Sequence, residues 1–275
     1  MAPKLGIVAG SGDFPLRLAH ACRSTGREPF VLALEGQADP ADFAGFATAT
    51  VRIGAAGRAL NLLRRSRVSE LAFAGNVSRP PLRSIHPDRR ASVFLGKLAL
   101  RSLGDDGLLR AVARELEAEG FRIISPASIL QDATIPVGPC GEYLPDREAC
   151  ADIARGIEVA AALGRADAGQ AVVVQQGVVL AIEAAEGTDA LIGRAGAIQR
   201  KGGGGVLVKM AKPQQDRRLD PPVIGPTTVR SVASAGLRGI AVESGGVLVL
   251  DRKLVVEEAD AAGLFLVGVE SARET

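Results

Sequence analysis

The sequence predicts an α/β protein in two parts: an N-terminal Rossmann-like domain on a parallel sheet, and a C-terminal α/β domain with a mixed sheet. Three observations carry that expectation. Short apolar runs alternate with segments of helical spacing through the first half, the pattern of strands joined by helical crossovers. From Asp132 to Asp146, three prolines and two glycines interrupt the alternation. Beyond them, apolar runs come in pairs split by glycine, as hairpins require. The expected domains are residues 1–135 and 136–275.

The elements follow in order. Leu5 to Ala9 is an apolar strand, and Gly10-Ser11-Gly12-Asp13-Phe14-Pro15 leads into a helix through Leu16, Ala19 and Cys22 that Gly26 ends. Phe30 to Leu34 and Thr48 to Ile53 read as strands, Ala59 to Arg65 as helix, and Glu70 to Ala74 as a buried strand ending in Gly75-Asn76. Apolar residues at 108, 109, 112 and 116 give Leu108 to Glu119 helical spacing; Gly120 caps it before a strand at Phe121 to Ile124. In the second half, alanine-rich Glu148 to Leu163 is a helix. Ala171 to Val174 and Val178 to Ile182 flank Gly177 as a hairpin. Gly187-Thr188-Asp189 opens a helix, with Thr188 or Asp189 as its N-cap. Gly202 to Gly205 is a turn before a strand at Val206 to Met210. Gly239 to Val242 and Val247 to Leu250, around Gly245-Gly246, read as a second hairpin. Glu257 to Ala262 is a short helix and Leu264 to Val269 the last strand.

Composition narrows the function. The 275 residues are 47% hydrophobic and 23% charged, which suits one large globular domain or two ordinary ones. Mean hydropathy is +0.18, yet no apolar run approaches a membrane span. The opening Met-Ala-Pro-Lys-Leu-Gly lacks the pattern of a secretory signal. Cys22, Cys140 and Cys150 form no CxxC pair and read as reduced thiols of a cytoplasmic protein. A net charge of +2 argues against a dedicated nucleic-acid binder. Two histidines make a His-rich zinc site a poor fit, and the absence of Trp with 3% aromatics disfavours base stacking.

The densest chemistry runs from Lys209 to Thr228. Twelve residues, Lys209 to Asp220, hold four cations and two carboxylates: Lys209, Lys212, Arg217, Arg218, Asp216 and Asp220. Prolines at 213, 221, 222 and 226 forbid a continuous helix. A mixed-charge loop at the end of a buried strand suits a phosphate ester with a metal: cations take phosphate oxygens, carboxylates take the metal or the attacking water. The ordinary alternative is a solvated loop paired with itself.

Five further stretches are weaker. Gly10-Ser11-Gly12 after a strand can present backbone N–H groups to phosphate, although Pro15 stands where a dinucleotide fingerprint wants its third glycine. A tight structural turn explains it nearly as well. Asn76 at a strand exit could bond base, ribose or phosphate, or simply occupy a left-handed turn. Asp105 and Asp106, between Gly104 and Gly107, could hold a divalent ion through oxygen or cap a helix. Arg79 to Arg101 is basic with interleaved Phe94, Leu95, Leu98 and Leu100, suiting anionic lipid headgroups or an ordinary solvated helix face. Glu183 to Asp189 leaves a hairpin strand with several polar groups.

Taken in order, Gly10-Ser11-Gly12-Asp-Phe-Pro15, Ala74-Gly75-Asn76-Val77, Gly104-Asp105-Asp106, Gly169-Gln170-Ala-Val-Val-Val, Glu183-Ala-Ala-Glu186-Gly187-Thr188-Asp189 and Lys212-Pro213-Gln-Gln215-Asp216-Arg-Arg-Leu-Asp220-Pro-Pro-Val-Ile-Gly225-Pro-Thr227 make a pattern that resembles the LpxI family, the UDP-2,3-diacylglucosamine pyrophosphatases of lipid A biosynthesis in Gram-negative bacteria. The resemblance covers nearly the whole chain, and its last two motifs are the specific ones. It implies hydrolysis of UDP-2,3-diacylglucosamine to UMP and 2,3-diacylglucosamine 1-phosphate (lipid X), with a divalent cation, usually Mg²⁺. It implies a nucleotide-binding N-terminal domain, an acylated-sugar-binding C-terminal domain, and chemistry between them. Asp220 best matches the family's key acid. With it, Asp216, Lys212 and Lys209 are the expected catalytic groups, and Asp220, Asp105 and Asp106 the expected metal ligands. Gly10, Ser11, Gly12 and Asn76 are expected to hold the nucleotide. Gln170, Glu183, Gly187, Thr188, Asp189, Gln215, Arg218 and Thr227 are expected to hold the rest of the substrate. The expected setting is the cytoplasm, with transient contact at the inner membrane; a homodimer is allowed and not required. Two competing readings remain at this stage: a nucleotide-sugar or lipid sensor without turnover, and, on the glycine loop alone, an NAD(P)-dependent oxidoreductase.

Overall fold

The structure is a computed structural model that describes residues 3–78, 86–98, 105–130 and 132–271. Its contacts divide the chain into two units. The first is residues 1–131 with Arg218–Asp220; the second is 132–217 with 221–275.

The first unit contains β1 (Leu5–Ala9), α1 (Phe14–Ser24), β2 (Pro29–Leu34), β3 (Ala47–Val51), α2 (Ala56–Arg65), β4 (Glu70–Ala74), α3 (Arg89–Leu98), α4 (Asp105–Ala118) and β5 (Arg122–Ile123). The strands form one sheet in the order β3-β2-β1-β4-β5, and every neighbouring pair is parallel. This is the Rossmann-like sheet expected from the strand–helix alternation. Strand order reverses between β1 and β4, the point at which open α/β sheets place ligands. In α1 the i, i+4 spacing puts Phe14, Leu18 and Cys22 on the buried face, and Pro15 occupies the first turn, where its missing N–H costs nothing. Asp88 fastens two helices at once. One carboxylate oxygen accepts the Ala91 N–H at the start of α3 (2.8 Å), the other the Gly57 N–H at the start of α2 (2.7 Å). Leu219, from the tripeptide that joins this unit, is 4% exposed and packs in the cluster of Phe30, Leu32, Leu60, Leu63 and Leu71.

The second unit contains β6 (Gly138–Pro139), α5 (Arg147–Arg165), β7 (Ala171–Gln175), β8 (Val178–Ile182), α6 (Thr188–Ala197), β9 (Val206–Lys209), β10 (Val223–Ile224), α7 (Pro226–Ser234), β11 (Gly239–Glu243), β12 (Leu248–Val249), α8 (Arg252–Ala261) and β13 (Phe265–Val269). Its main sheet runs β6-β13-β11-β9-β7-β8. Strands β9, β11 and β13 are parallel, while β6, and β7 against both its neighbours, are antiparallel, so the sheet is mixed as expected. The β7–β8 hairpin forms around Gln176 and Gly177, both at positive φ (52° and 74°), and Asp152 of α5 accepts both turn N–H groups. Among the described residues no helix is long and apolar enough to cross a membrane.

Two local expectations are corrected. The second hairpin does not form: β11 lies between β9 and β13, parallel to both, whereas β12 pairs with β10 in a separate two-stranded ribbon. Gly245 and Gly246 turn the chain out of the sheet instead of back along it. The residue flanking the start of α6 is Gly187, at φ 83°, and neither Thr188 nor Asp189 caps the helix; the Thr188 hydroxyl is used elsewhere.

Candidate active site

A row of buried charge lies along one edge of the six-stranded sheet. Strand β9 ends in Lys209 and β11 ends in Glu243. Because β7 runs antiparallel to β9, Gln170 before β7 and Glu183 after β8 reach that same edge. Glu183, Lys209 and Glu243 are only 6%, 5% and 2% exposed. Charges so buried cost several kcal/mol each unless partners replace water, on the order given by ion desolvation. Partners are present. The Lys209 ammonium donates to Thr188 Oγ1 and to the Val223 carbonyl, both at 2.8 Å. Thr188 Oγ1 in turn donates to Glu183 Oε1 at 2.5 Å, so one hydroxyl joins the two charges. The second Glu183 oxygen accepts the Gln170 N–H at 3.0 Å. Gln170 Oε1 is buried without a hydrogen-bond partner among the described residues.

The loop from Lys209 onward is fastened to its surroundings. The Met210 N–H donates to the Gln170 carbonyl (2.9 Å) and the Ala211 N–H to Glu243 Oε2 (3.0 Å). Lys212 reaches Asp167 Oδ1 at 2.7 Å, and Gln215 closes a turn by accepting the Lys212 N–H. Arg217 meets Glu243 Oε1 at 2.6 Å, and Arg218 meets Glu117 at 3.0 Å. Each of the four cations thus has a partner outside the loop, which is not how a solvated, self-paired surface loop is built. Asp216 is half-buried. Asp220 is exposed, between buried Leu219 and buried Pro221 and Pro222. Beyond it, Gly225 and Pro226 open α7, and the Gly225 N–H donates to Thr228 Oγ1 at 3.3 Å. Thr227 is exposed and bonds Arg230; Asp189 is exposed in the first turn of α6. Glu186, beside Gly187, has its carboxyl held below the ordinary range, first by its own backbone N–H, against partial burial, and then by Arg194.

The corresponding edge of the first unit is built from backbone. Gly10 N–H donates to the Ala74 carbonyl, Ser11 N–H to Asn76 O and Asn76 N–H to Ser11 O, at 2.8 to 3.0 Å, so the exits of β1 and β4 are laced together. The Ser11 hydroxyl also donates to Asn76 O, at 2.9 Å. A Cβ at Gly10 would collide with the Asn76 carbonyl, and one at Gly75 would stand 2.6 Å from the Ser11 carbonyl. Those glycines therefore serve close backbone approach. Gly12 differs: its φ is +92° and a Cβ there would meet nothing within 4 Å, so the turn opens onto free space just before α1.

Asp105 and Asp106 are the first two residues of α4, but their side chains lie outside the described residues, as do Arg79, Arg83 and Arg101 of the basic segment. No cluster of three or more His, Cys, Asp or Glu suited to a metal occurs among the described residues. The donors available, one or two loop carboxylates, fit Mg²⁺ held jointly with substrate phosphates and water, not a metal in an all-protein cage. Sequence reasoning missed Glu243 and Asp167, and it counted Arg217 among the loop cations without giving it a role of its own. For Glu243 the only signal was an acidic residue closing an apolar strand before Ser-Gly-Gly.

Comparison with known proteins agrees with this architecture. Residues 4–133 match the LpxI N-terminal domain and residues 136–267 the LpxI C-terminal domain. The chain is 42% identical over 274 residues to the UDP-2,3-diacylglucosamine pyrophosphatase LpxI of Caulobacter vibrioides, covering 97% of this chain and 98% of that one. The chain belongs to the LpxI family.

Proposed function

We propose that this protein is a UDP-2,3-diacylglucosamine pyrophosphatase that releases UMP and 2,3-diacylglucosamine 1-phosphate in lipid A synthesis. The observation that supports this best is identity of 42% over almost the full length of both chains. In this reading Asp220 is the central acid, exposed for contact with the reacting diphosphate, and Asp216 assists it. Lys212 and Arg218 face the non-bridging oxygens. Lys209, buried and tied to Thr188 and Val223, supplies positive field from beneath. Gly10, Ser11, Gly12 and Asn76 hold the nucleotide. Gln170, Glu183, Gly187, Thr188, Asp189, Gln215 and Thr227 shape the acyl-sugar end.

Hydrolysis of a diphosphate needs charge neutralised on the phosphoryl oxygens and water placed in line. Asp220, with Asp105 or Asp106, would hold a Mg²⁺ ion, which would supply charge neutralisation at the phosphoryl oxygens. The chain's own part is to hold the carboxylate still, orient the water and keep cations close. Because the substrate carries two acyl chains, the protein meets it at a membrane surface. Exposed Val93 beside Arg89 and Arg90 on α3 suits transient contact there. The test is incubation with UDP-2,3-diacylglucosamine, with and without Mg²⁺, following UMP and lipid X. Metal-dependent release of both is expected. Binding of the substrate with no release would replace the enzyme by a sensor.

A further inference from the structure

We infer that Glu243, to which no role in the reaction has been given, is a positioning residue that sets the course of the loop carrying Asp220. Three features carry this, and the link to catalysis rests on the function proposed above.

Glu243 ends β11 in the interior of the sheet and is 2% exposed. Its two oxygens take the two ends of one stretch: Oε2 accepts the Ala211 N–H at 3.0 Å and Oε1 the Arg217 guanidinium at 2.6 Å. Between those ends lies the turn closed by Lys212 and Gln215. A single carboxylate therefore staples residues 211 to 217, and the next three residues are Arg218, Leu219 and Asp220. The third feature is on the opposite side. A Cβ at Gly246 would collide with Glu243 Oε1, and the Gly246 and Val247 N–H groups both bond the Glu243 carbonyl (3.1 and 3.0 Å). The turn after β11 is shaped around the carboxylate, which leaves it one direction to face. A buried charge is a costly tether, and geometry of this kind is what it obtains in return.

The experiment compares Glu243→Gln, Arg217→Gln and the double variant in hydrolysis of UDP-2,3-diacylglucosamine, together with amide hydrogen exchange of residues 210–220 in the ligand-free protein. Glu243→Gln keeps shape and one acceptor but removes the negative charge that faces Arg217. The expected result is a kcat loss of roughly 10- to 100-fold with KM nearly unchanged. Arg217→Gln should lose much of the same factor, and the double variant little more than the worse single. Exchange at 210–220 should rise in each, with the rest of the sheet protected as before. Unchanged exchange in Glu243→Gln would overturn the staple whatever the activity. Faster exchange with wild-type kcat, or fully additive losses, would overturn its role in catalysis. If the unaltered protein releases no UMP while exchange responds as expected, the staple stands and the proposed function fails. Should Glu243→Gln not fold, half-exposed Arg217 provides the same readings.

Discussion

The two sheets build the exits of their strands from opposite materials. In the first unit the edge is glycine and backbone: β1 and β4 exits laced through Gly10, Ser11 and Asn76, with Gly12 opening the turn. In the second unit it is buried charge: Glu183, Lys209 and Glu243 in a row, each tied to a loop or helix start. Backbone groups are fixed in place cheaply and suit recognition of a constant group such as a nucleotide. Buried charges are expensive, and they make sense where a reaction develops charge that must be met without reorganisation.

Substitutions can break that contrast. The largest expected effect is at Asp220: Asp220→Ala should lose on the order of 10³-fold or more in kcat by a UMP-release assay. Next come the first unit's glycines. Gly75→Ala combines a φ of +87° with a Cβ 2.6 Å from the Ser11 carbonyl. It should destabilise by about 2–5 kcal/mol in denaturant unfolding. Gly12→Ala carries strain without collision and should cost about 1–2 kcal/mol. Equal losses at the two would show that close approach of the loops is unimportant. In the second unit, Thr188→Val keeps the shape but removes the hydroxyl joining Lys209 to Glu183. A loss of about 1–3 kcal/mol is expected by calorimetry, because two buried charges each lose a partner.

The smallest effect is the acid response of the first unit. Burial would raise the Asp88 pKa, but the N–H bonds from Ala91, Gly57, Arg58 and Arg90 outweigh it and hold the carboxyl below its ordinary range. Its stabilisation is therefore full above the unfolded pKa and is lost as pH falls through the lower folded one. Asp88→Ala should cost about 1 kcal/mol at neutral pH, and that gap should close in strong acid. A gap independent of pH would mean that the carboxylate is not what fastens α2 and α3.

Legibility in the sequence followed the range of the forces involved. Strands β1, β2 and β4 were readable because each is a short apolar run stopped by glycine or a polar turn, and a parallel sheet buries both faces. The β7–β8 hairpin was readable because Gly177 sits between its two apolar runs. Gly245-Gly246 looked alike and misled. Gly246 is small because the Glu243 carboxylate fills the space a Cβ would take, a cause invisible in local spelling. Helix α7 went unread because Pro226-Thr-Thr-Val offers β-branched residues at its start, although proline in the first turn is a proper opening. The Lys209–Asp220 loop stood out by charge and proline. Its anchors did not: Asp167 and Glu243 lie 45 residues before Lys212 and 26 after Arg217, and nothing near either foretells its partner.

The central claim is that the proposed hydrolysis depends on the Asp220 carboxylate. Its most direct test is single-turnover hydrolysis of UDP-2,3-diacylglucosamine by Asp220→Ala beside unaltered protein, at saturating Mg²⁺, with substrate binding measured on the same preparations. The account predicts retained binding and no UMP. UMP release near the unaltered rate would contradict it.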